Sequence, residues 1–110
     1  DAYYNRGYSK TEIKDYYGAI SDFTKAIEID PQYADAYYNR GNSKDELKDY
    51  YGAISDYTKA IEIDPKYADV YRNRGISKEL IEDMKGACSD WRKASDLGVE
   101  DAANWVRDQC

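Results

Sequence analysis

The seven residues "DAYYNRG" at 1–7 return unchanged at 35–41 and, as "DVYRNRG", at 69–75. A segment rewritten every 34 residues constrains this chain more than any other feature it has. Residues 1–33 and 35–67 differ at five places: Tyr8/Asn42, Thr11/Asp45, Ile13/Leu47, Phe23/Tyr57 and Gln32/Lys66. Residues 69–101 match the second unit at 14 of 33 positions, so a third copy exists and has diverged. A period of this length marks an array of small supersecondary units. One such unit cannot bury its apolar faces alone and must stack on a neighbour.

Within a unit the apolar spacing predicts two helices. In the first, Tyr3, Gly7 and Ile13 share one stripe, while Tyr4, Tyr8 and Thr11/Glu12 line the stripe beside it. In the second, Tyr16, Ala19, Ile20, Phe23, Ala26 and Ile27 recur at three- and four-residue steps, with Asp15 placed as the N-cap. Asp30-Pro31 and Asp64-Pro65 end that helix, since proline cannot continue it. No alternation of the β type lasts more than a few residues, and the expected fold is all-helical. Gly7, Ala19 and Ala26, with Gly41, Ala53, Ala60 and Gly75, Ala87, Ala94, place small residues where two helix backbones approach closely. Tyr3, Phe23 and their equivalents are expected to fill the gaps beside them.

These positions carry a specific resemblance. Tyr37, Gly41, Tyr50, Ala53, Tyr57, Ala60 and Pro65 follow the pattern of the tetratricopeptide repeat (TPR) family. The first unit supplies Tyr3, Gly7, Tyr16, Ala19, Phe23, Ala26 and Pro31, and the third Tyr71, Gly75, Met84, Ala87, Trp91 and Ala94 before Val99 replaces the proline. The resemblance implies an α-α superhelix of antiparallel helix pairs, with repeats at 1–33, 34–67 and 68–101 and a capping helix at 100–110. In that last helix Ala102, Trp105 and Val106 are expected to face inward and Glu100, Asp101, Asn104, Arg107 and Asp108 outward, with Trp105 shielding the final apolar stripe. Leu97-Gly98 replaces the Asp-Pro break, glycine being suited to the left-handed end of a helix.

The chain departs from the family in carrying Arg6, Arg40 and Arg74 just before the glycine, and Lys10, Lys44 and Lys78 three residues after it. Each unit also has an aspartate, Asp22, Asp56 or Asp90, just before the aromatic of its second helix. The expectation is an Arg–Asp pair tying the two helices together, in preference to a ladder of arginines facing a ligand.

Composition narrows the function. Hydrophobic residues at 42% are too many for a disordered chain, and 13 tyrosines against one phenylalanine make the core amphipathic. A net charge of −6 argues against a nucleic-acid partner, and no apolar run approaches a membrane span. The chain opens at Asp1 with neither an initiator Met nor a signal-peptide pattern, as expected of a processed chain or an excised piece. There is no histidine, nucleophile elbow, phosphate-binding glycine loop or HExxH box, so no enzyme activity and no cofactor are expected. Acidic pairs such as Asp45/Glu46 and Asp69 with Glu79 read as solvated helix faces, without the spacing of a calcium loop. Cys88 and Cys110 form no CxxC pair, which speaks against zinc. Cys88 is expected in the core as an inert thiol, Cys110 exposed and able to cross-link two chains, and the compartment a reducing cytoplasm.

In the family, the first helices of the units line a concave groove that receives an extended peptide or a partner's helix. The resemblance carries the groove to Asp1, Tyr4, Asn5, Tyr8, Thr11 and Glu12 in the first unit and to Asp35, Tyr38, Asn39, Asn42, Asp45 and Glu46 in the second. In the third it gives Asp69, Arg72, Asn73, Ile76, Glu79 and Leu80. The helical spacing independently sets Tyr4 and Tyr8 off the core face. Tyr4 and Tyr38 have an alternative role in covering the neighbouring unit. Asn5, Asn39 and Asn73 offer a donor and an acceptor to a peptide backbone, or a hydrogen bond from turn to turn that only stiffens the stack. A subset of the family grips a C-terminal carboxylate with two lysines, an arginine and two asparagines. Of that set Asn39 is retained, while Tyr4, Tyr8, Asp69 and Asn73 hold the other positions, so binding of chaperone tails is not expected. The expected function is a non-catalytic scaffold whose groove takes a cationic or aromatic-bearing protein segment, with Arg72 and Ile76 setting direction or register. The alternative is a structural module that stacks end to end on other copies or within a longer array.

Overall fold

Seven helices and no strands make up the computed structural model, which describes residues 1–110. They are α1 (Ala2–Glu12), α2 (Tyr16–Ile29), α3 (Ala34–Glu46), α4 (Tyr50–Ile63), α5 (Ala68–Leu80), α6 (Met84–Asp96) and α7 (Glu100–Gln109). Each packs chiefly on the helices before and after it in the chain, which draws the molecule out to 41 × 25 × 20 Å. Helices α1/α2, α3/α4 and α5/α6 are the three repeats, and α7 sits on α6 as α3 sits on α2 and α5 on α4.

Local chemistry starts and stops the helices as the sequence suggests. Asp15, Asp49 and Asp83 accept a hydrogen bond from the amide three residues on and cap α2, α4 and α6. Asp1 does the same for α1. The turn within each unit was not foreseen. Lys14, Lys48 and Glu82 adopt φ of 64°, 64° and 66°, the left-handed conformation for which glycine is the usual residue. Asp15 N–H bonds to Lys10 C=O and Lys14 N–H to Thr11 C=O, closing the end of α1. Gly98, at φ 101°, ends α6 as expected.

Close approach of the paired helices depends on glycine. A Cβ on Gly41 would lie 2.7 Å from the Tyr57 ring, and one on Gly7 2.9 Å from Phe23. Gly75 meets Trp91 in the same way. The aromatic and small residues Ala19, Phe23, Ala26, Ala53, Tyr57, Ala60, Ala87, Trp91 and Ala94 are all buried. Tyr3 and Ile13, expected on the core stripe, lie at the surface, Ile13 being 76% exposed. Ile13 falls just past the last turn of α1, and no earlier helix covers the outer side of Tyr3.

The arginines form the expected pairs. Nε and Nη2 of Arg6, Arg40 and Arg74 donate to both oxygens of Asp22, Asp56 and Asp90 at 2.7–2.9 Å. A second cation, Lys10, Lys44 or Lys78, reaches each carboxylate at 3.0–3.1 Å. The unusual lysines are thus part of the same clamp. Nη1 of Arg40 and of Arg74 reaches back to Thr24 and Thr58 of the preceding unit, each at 3.2 Å. One guanidinium therefore joins three helices.

The far end departs from expectation in two respects. Cys88 and Cys110 are joined in a disulfide that pins the end of α7 to α6, so neither is a free thiol. Helix α7 packs back along α6 and returns Cys110 to within 5.9 Å of Cys88, Cα to Cα, a proximity the linear spacing of 22 residues concealed. The expectation of a reducing cytoplasm rested on unpaired thiols and loses that support. No helix is long and apolar enough to cross a membrane. Asp101, placed outward, instead accepts bidentate hydrogen bonds from Arg72 at 2.8–3.1 Å. Trp105 packs on Trp91 with ring centroids 5.2 Å apart, and Ala102 is buried, as the spacing required.

Candidate functional site

The first helices α1, α3 and α5 are neighbours, and between them they hold the groove positions expected from the sequence, Asp1 excepted. Two kinds of residue stand at these positions. One kind is consumed in joining the units. Asn39 Nδ2 donates to the Tyr4 hydroxyl at 2.8 Å, and Asn73 Nδ2 to the Tyr38 hydroxyl at 3.0 Å. Tyr4 stacks on Tyr33 at 4.8 Å, and Tyr38 lies 5.1 Å from Tyr67, whose hydroxyl donates to Asp35. Burial, reinforced by the charge of Asp35, pushes the Tyr4 phenol up to about 12. The turn-to-turn alternative is thus the geometry that Asn39 and Asn73 adopt. Arg72 is occupied as well, by Asp101 and by the Trp105 ring 5.1 Å away.

The other kind reaches solvent, and Asp35 and Asn73 belong to both, being bonded between units as well. Asn5, Tyr8, Glu12, Asp35, Glu46 and Asp69 are exposed. Asn42, Glu46, Asn73 and Ile76 come together with Asp45, Leu80, Lys48 and Tyr50 around an open cavity of about 630 Å³ between α3 and α5. Tyr50 and Lys48 were not among the residues anticipated there. The unit 1 positions Asn5, Tyr8 and Glu12 do not reach this cavity.

Beneath the cavity lies a hydrogen-bonded network. The Tyr57 hydroxyl is 2.6 Å from Asn42 Oδ1 and 2.6 Å from Asp45 Oδ2. The Ser77 hydroxyl donates to Asp45 at 2.8 Å, and Asn73 Nδ2 reaches Asn42 Oδ1 at 3.1 Å. Burial pushes the Asp45 carboxyl above its ordinary value, against the hydrogen bonds from Tyr57 and Ser77 that favour its charge. No lysine or arginine pairs with it. No group of three or more His, Cys, Asp or Glu side chains is placed to hold a metal ion.

A model of the tetratricopeptide repeat matches residues 1–33 and 34–67, and the chain belongs to that family. The third helix pair and the packed last helix extend the array to three repeats and a cap. Among solved structures, the first TPR of Spaghetti (RPAP3) bound to the HSP90 peptide SRMEEVD superposes with a TM-score of 0.92 at 24% identity, over 96% of this chain and 86% of that one. The Arabidopsis OM64 TPR domain gives 0.91 at 28% identity, over 99% and 94%. MamA gives 0.86 at 30% identity, over 93% of this chain and 60% of the other. No curated protein sequence matches the chain. TPR domains are in general interaction modules without catalysis, and this chain has their architecture throughout.

Proposed function

We propose that this protein is a peptide-binding scaffold that holds an extended segment of a protein partner along α1, α3 and α5. One observation carries the reading: the main cavity opens on that face and is walled by first helices of two successive units. A neighbour of the same fold holds a peptide, which supports the mode of binding. The ligand here is of another kind, because Tyr4 and Asp69 stand where lysines would grip a terminal carboxylate. A segment bearing cationic or aromatic side chains suits a face edged by Asp35, Glu46 and Asp69 and floored with tyrosine. A peptide-library selection on the monomer tests this, with a Glu46→Arg/Leu80→Glu variant in parallel. Those two side chains are exposed and unpaired, so the variant keeps the fold. Peptides that bind the parent and not the variant support the groove. Peptides indifferent to both changes, or none at all, refute it.

End-to-end stacking remains the second reading because of the outer side of α1. Ala36 and Val70 are buried against the preceding unit, and Arg40 and Arg74 bond across to it. Their unit 1 counterparts Ala2 and Arg6 are exposed, the Arg6 side chain at 59% against 17% for Arg40. A further repeat of the same sequence would complete these contacts. At the other end α7 already covers the corresponding surface of α6. Light scattering that shows mass rising with concentration would favour stacking, and a constant monomer mass the groove.

A further inference from the structure

We propose that the cavity between α3 and α5 seats a lysine or arginine side chain of the bound segment, with an apolar neighbour in that segment lying on Ile76 and Leu80. The inference rests on the groove reading above and names the chemistry that the groove selects.

The first observation is an imbalance of charge. Asp22, Asp56 and Asp90 are buried, and each is met by one arginine and one lysine. Asp45 is partly buried at the cavity and has only neutral partners, the hydroxyls of Tyr57 and Ser77. A carboxylate taken from water without a counter-ion is costly, and a ligand cation supplies what the protein leaves out. Glu46 on the rim has the same sign, and neither it nor Asp45 forms an ion pair with Lys48 or any other cation. An anionic ligand would meet repulsion here. The opposite wall is apolar, with Ile76 partly buried and Leu80 52% exposed. A carboxylate facing an aliphatic wall matches a side chain with a methylene stem and a charged tip.

The second observation is independent of charge. Units 1 and 2 differ at five positions, and three of those differences meet in this floor. Phe23 becomes Tyr57, Tyr8 becomes Asn42 and Thr11 becomes Asp45, and the new hydroxyl is bonded to both of the other new side chains. The remaining sequence is nearly unchanged, so the backbone needed none of these replacements. Their joint effect is one polar, negatively charged seat, in unit 2 alone.

The test uses capped pentapeptides Gly-Leu-Lys-Leu-Gly, and the same peptide with Met or Glu at the centre, titrated at millimolar concentration into isotope-labelled protein. Affinities are read from the Asn73 side-chain amide and the Ile76 methyls. The Lys peptide is expected to bind more tightly than the Met peptide, and the Glu peptide most weakly. Asp45→Asn should weaken the Lys peptide about tenfold to a hundredfold, the range for a charged hydrogen bond, and leave the Met peptide unchanged. An Asn42→Tyr/Asp45→Thr/Tyr57→Phe variant should do the same while keeping the fold, because each replacement is the residue of unit 1 at that place. Met or Glu peptides that bind this cavity as tightly as Lys would overturn the inference and leave the groove standing. If no peptide moves either reporter, both the seat and the groove reading fail.

Discussion

The arginine clamps offer an internal experiment, because three chemically identical pairs include two with a half-enclosed arginine and one whose arginine is largely in solvent. Arg40→Met removes a bidentate partner from Asp56, whose side chain is 5% exposed, and also the bond across to Thr24. Breaking a buried pair from one side costs about 3–5 kcal/mol. Lys44 stays at 3.0 Å from Asp56 and moderates the loss, so about 2–3 kcal/mol is expected. Arg74→Met should cost the same, since Arg74 has the same depth and the equivalent Thr58 bond. Arg6→Met should cost far less even though Asp22 is as buried as Asp56, because Arg6 itself is mostly solvated, water can take its place at the carboxylate, and no threonine lies beyond it. Urea unfolding followed by far-UV circular dichroism, with a common slope, reads all three. Equal losses for Arg6 and Arg40 would refute the argument from depth. An Arg40→Met chain of parental stability that no longer bound peptide would show that the arginines face the ligand, and the clamp would be misread.

Gly41→Ala should destabilise by about 1–2 kcal/mol, since the new methyl presses on the Tyr57 ring by more than alanine's helix propensity returns; thermal melts of the two proteins decide it. Reducing Cys88–Cys110 opens a loop of 22 residues and should remove about 3 kcal/mol by chain entropy. Faster amide exchange is expected in α7 first, and unchanged exchange there would refute the cap. The Arg6 guanidinium, with Lys10 adding to it and burial opposing, holds the Asp22 carboxyl down to about 2 from 3.8. A depressed acid contributes stability that is complete above the unfolded value and lost as protons bind the folded form. That contribution should therefore fade from about pH 4 to about pH 2, and a carbon-detected titration of Asp22 with a midpoint near 4 would contradict it.

Much of the architecture was legible because it is written three times. The capping aspartates, the Asp-Pro breaks, the glycine-to-aromatic contacts and the arginine clamps are local or single-step consequences of the repeat, and a fixed period repeats each of them. Three features were not legible, each for a physical reason. Lysine at Lys14 and Lys48 hides a left-handed turn that glycine would have announced. The disulfide depends on how α7 folds back on α6, which no count of cysteines specifies. Ile13 looks like core by its composition and is exposed by its position past the helix end.

The site was legible in outline only. The stripe of first-helix residues could be drawn from the period, and the structure places Asn42, Asn73, Glu46 and Ile76 around one cavity. Which members are free and which are spent on neighbours follows from contacts between units. Tyr4, Tyr38 and Arg72 are large and polar, as a ligand-binding residue would be, yet each is held by the next unit or the cap. The differences between two otherwise equal repeats were the available signal for the cavity floor, and their meaning depended on seeing Tyr57, Asn42 and Asp45 in contact.

Hydrogen exchange with a library-selected peptide bound tests the central claim most directly. Protection should concentrate on α3 and α5 around Asn42, Asn73 and Ile76, with α2, α4 and α6 unchanged. Protection centred on those second helices, or on the outer side of α1, would place binding elsewhere and contradict the account.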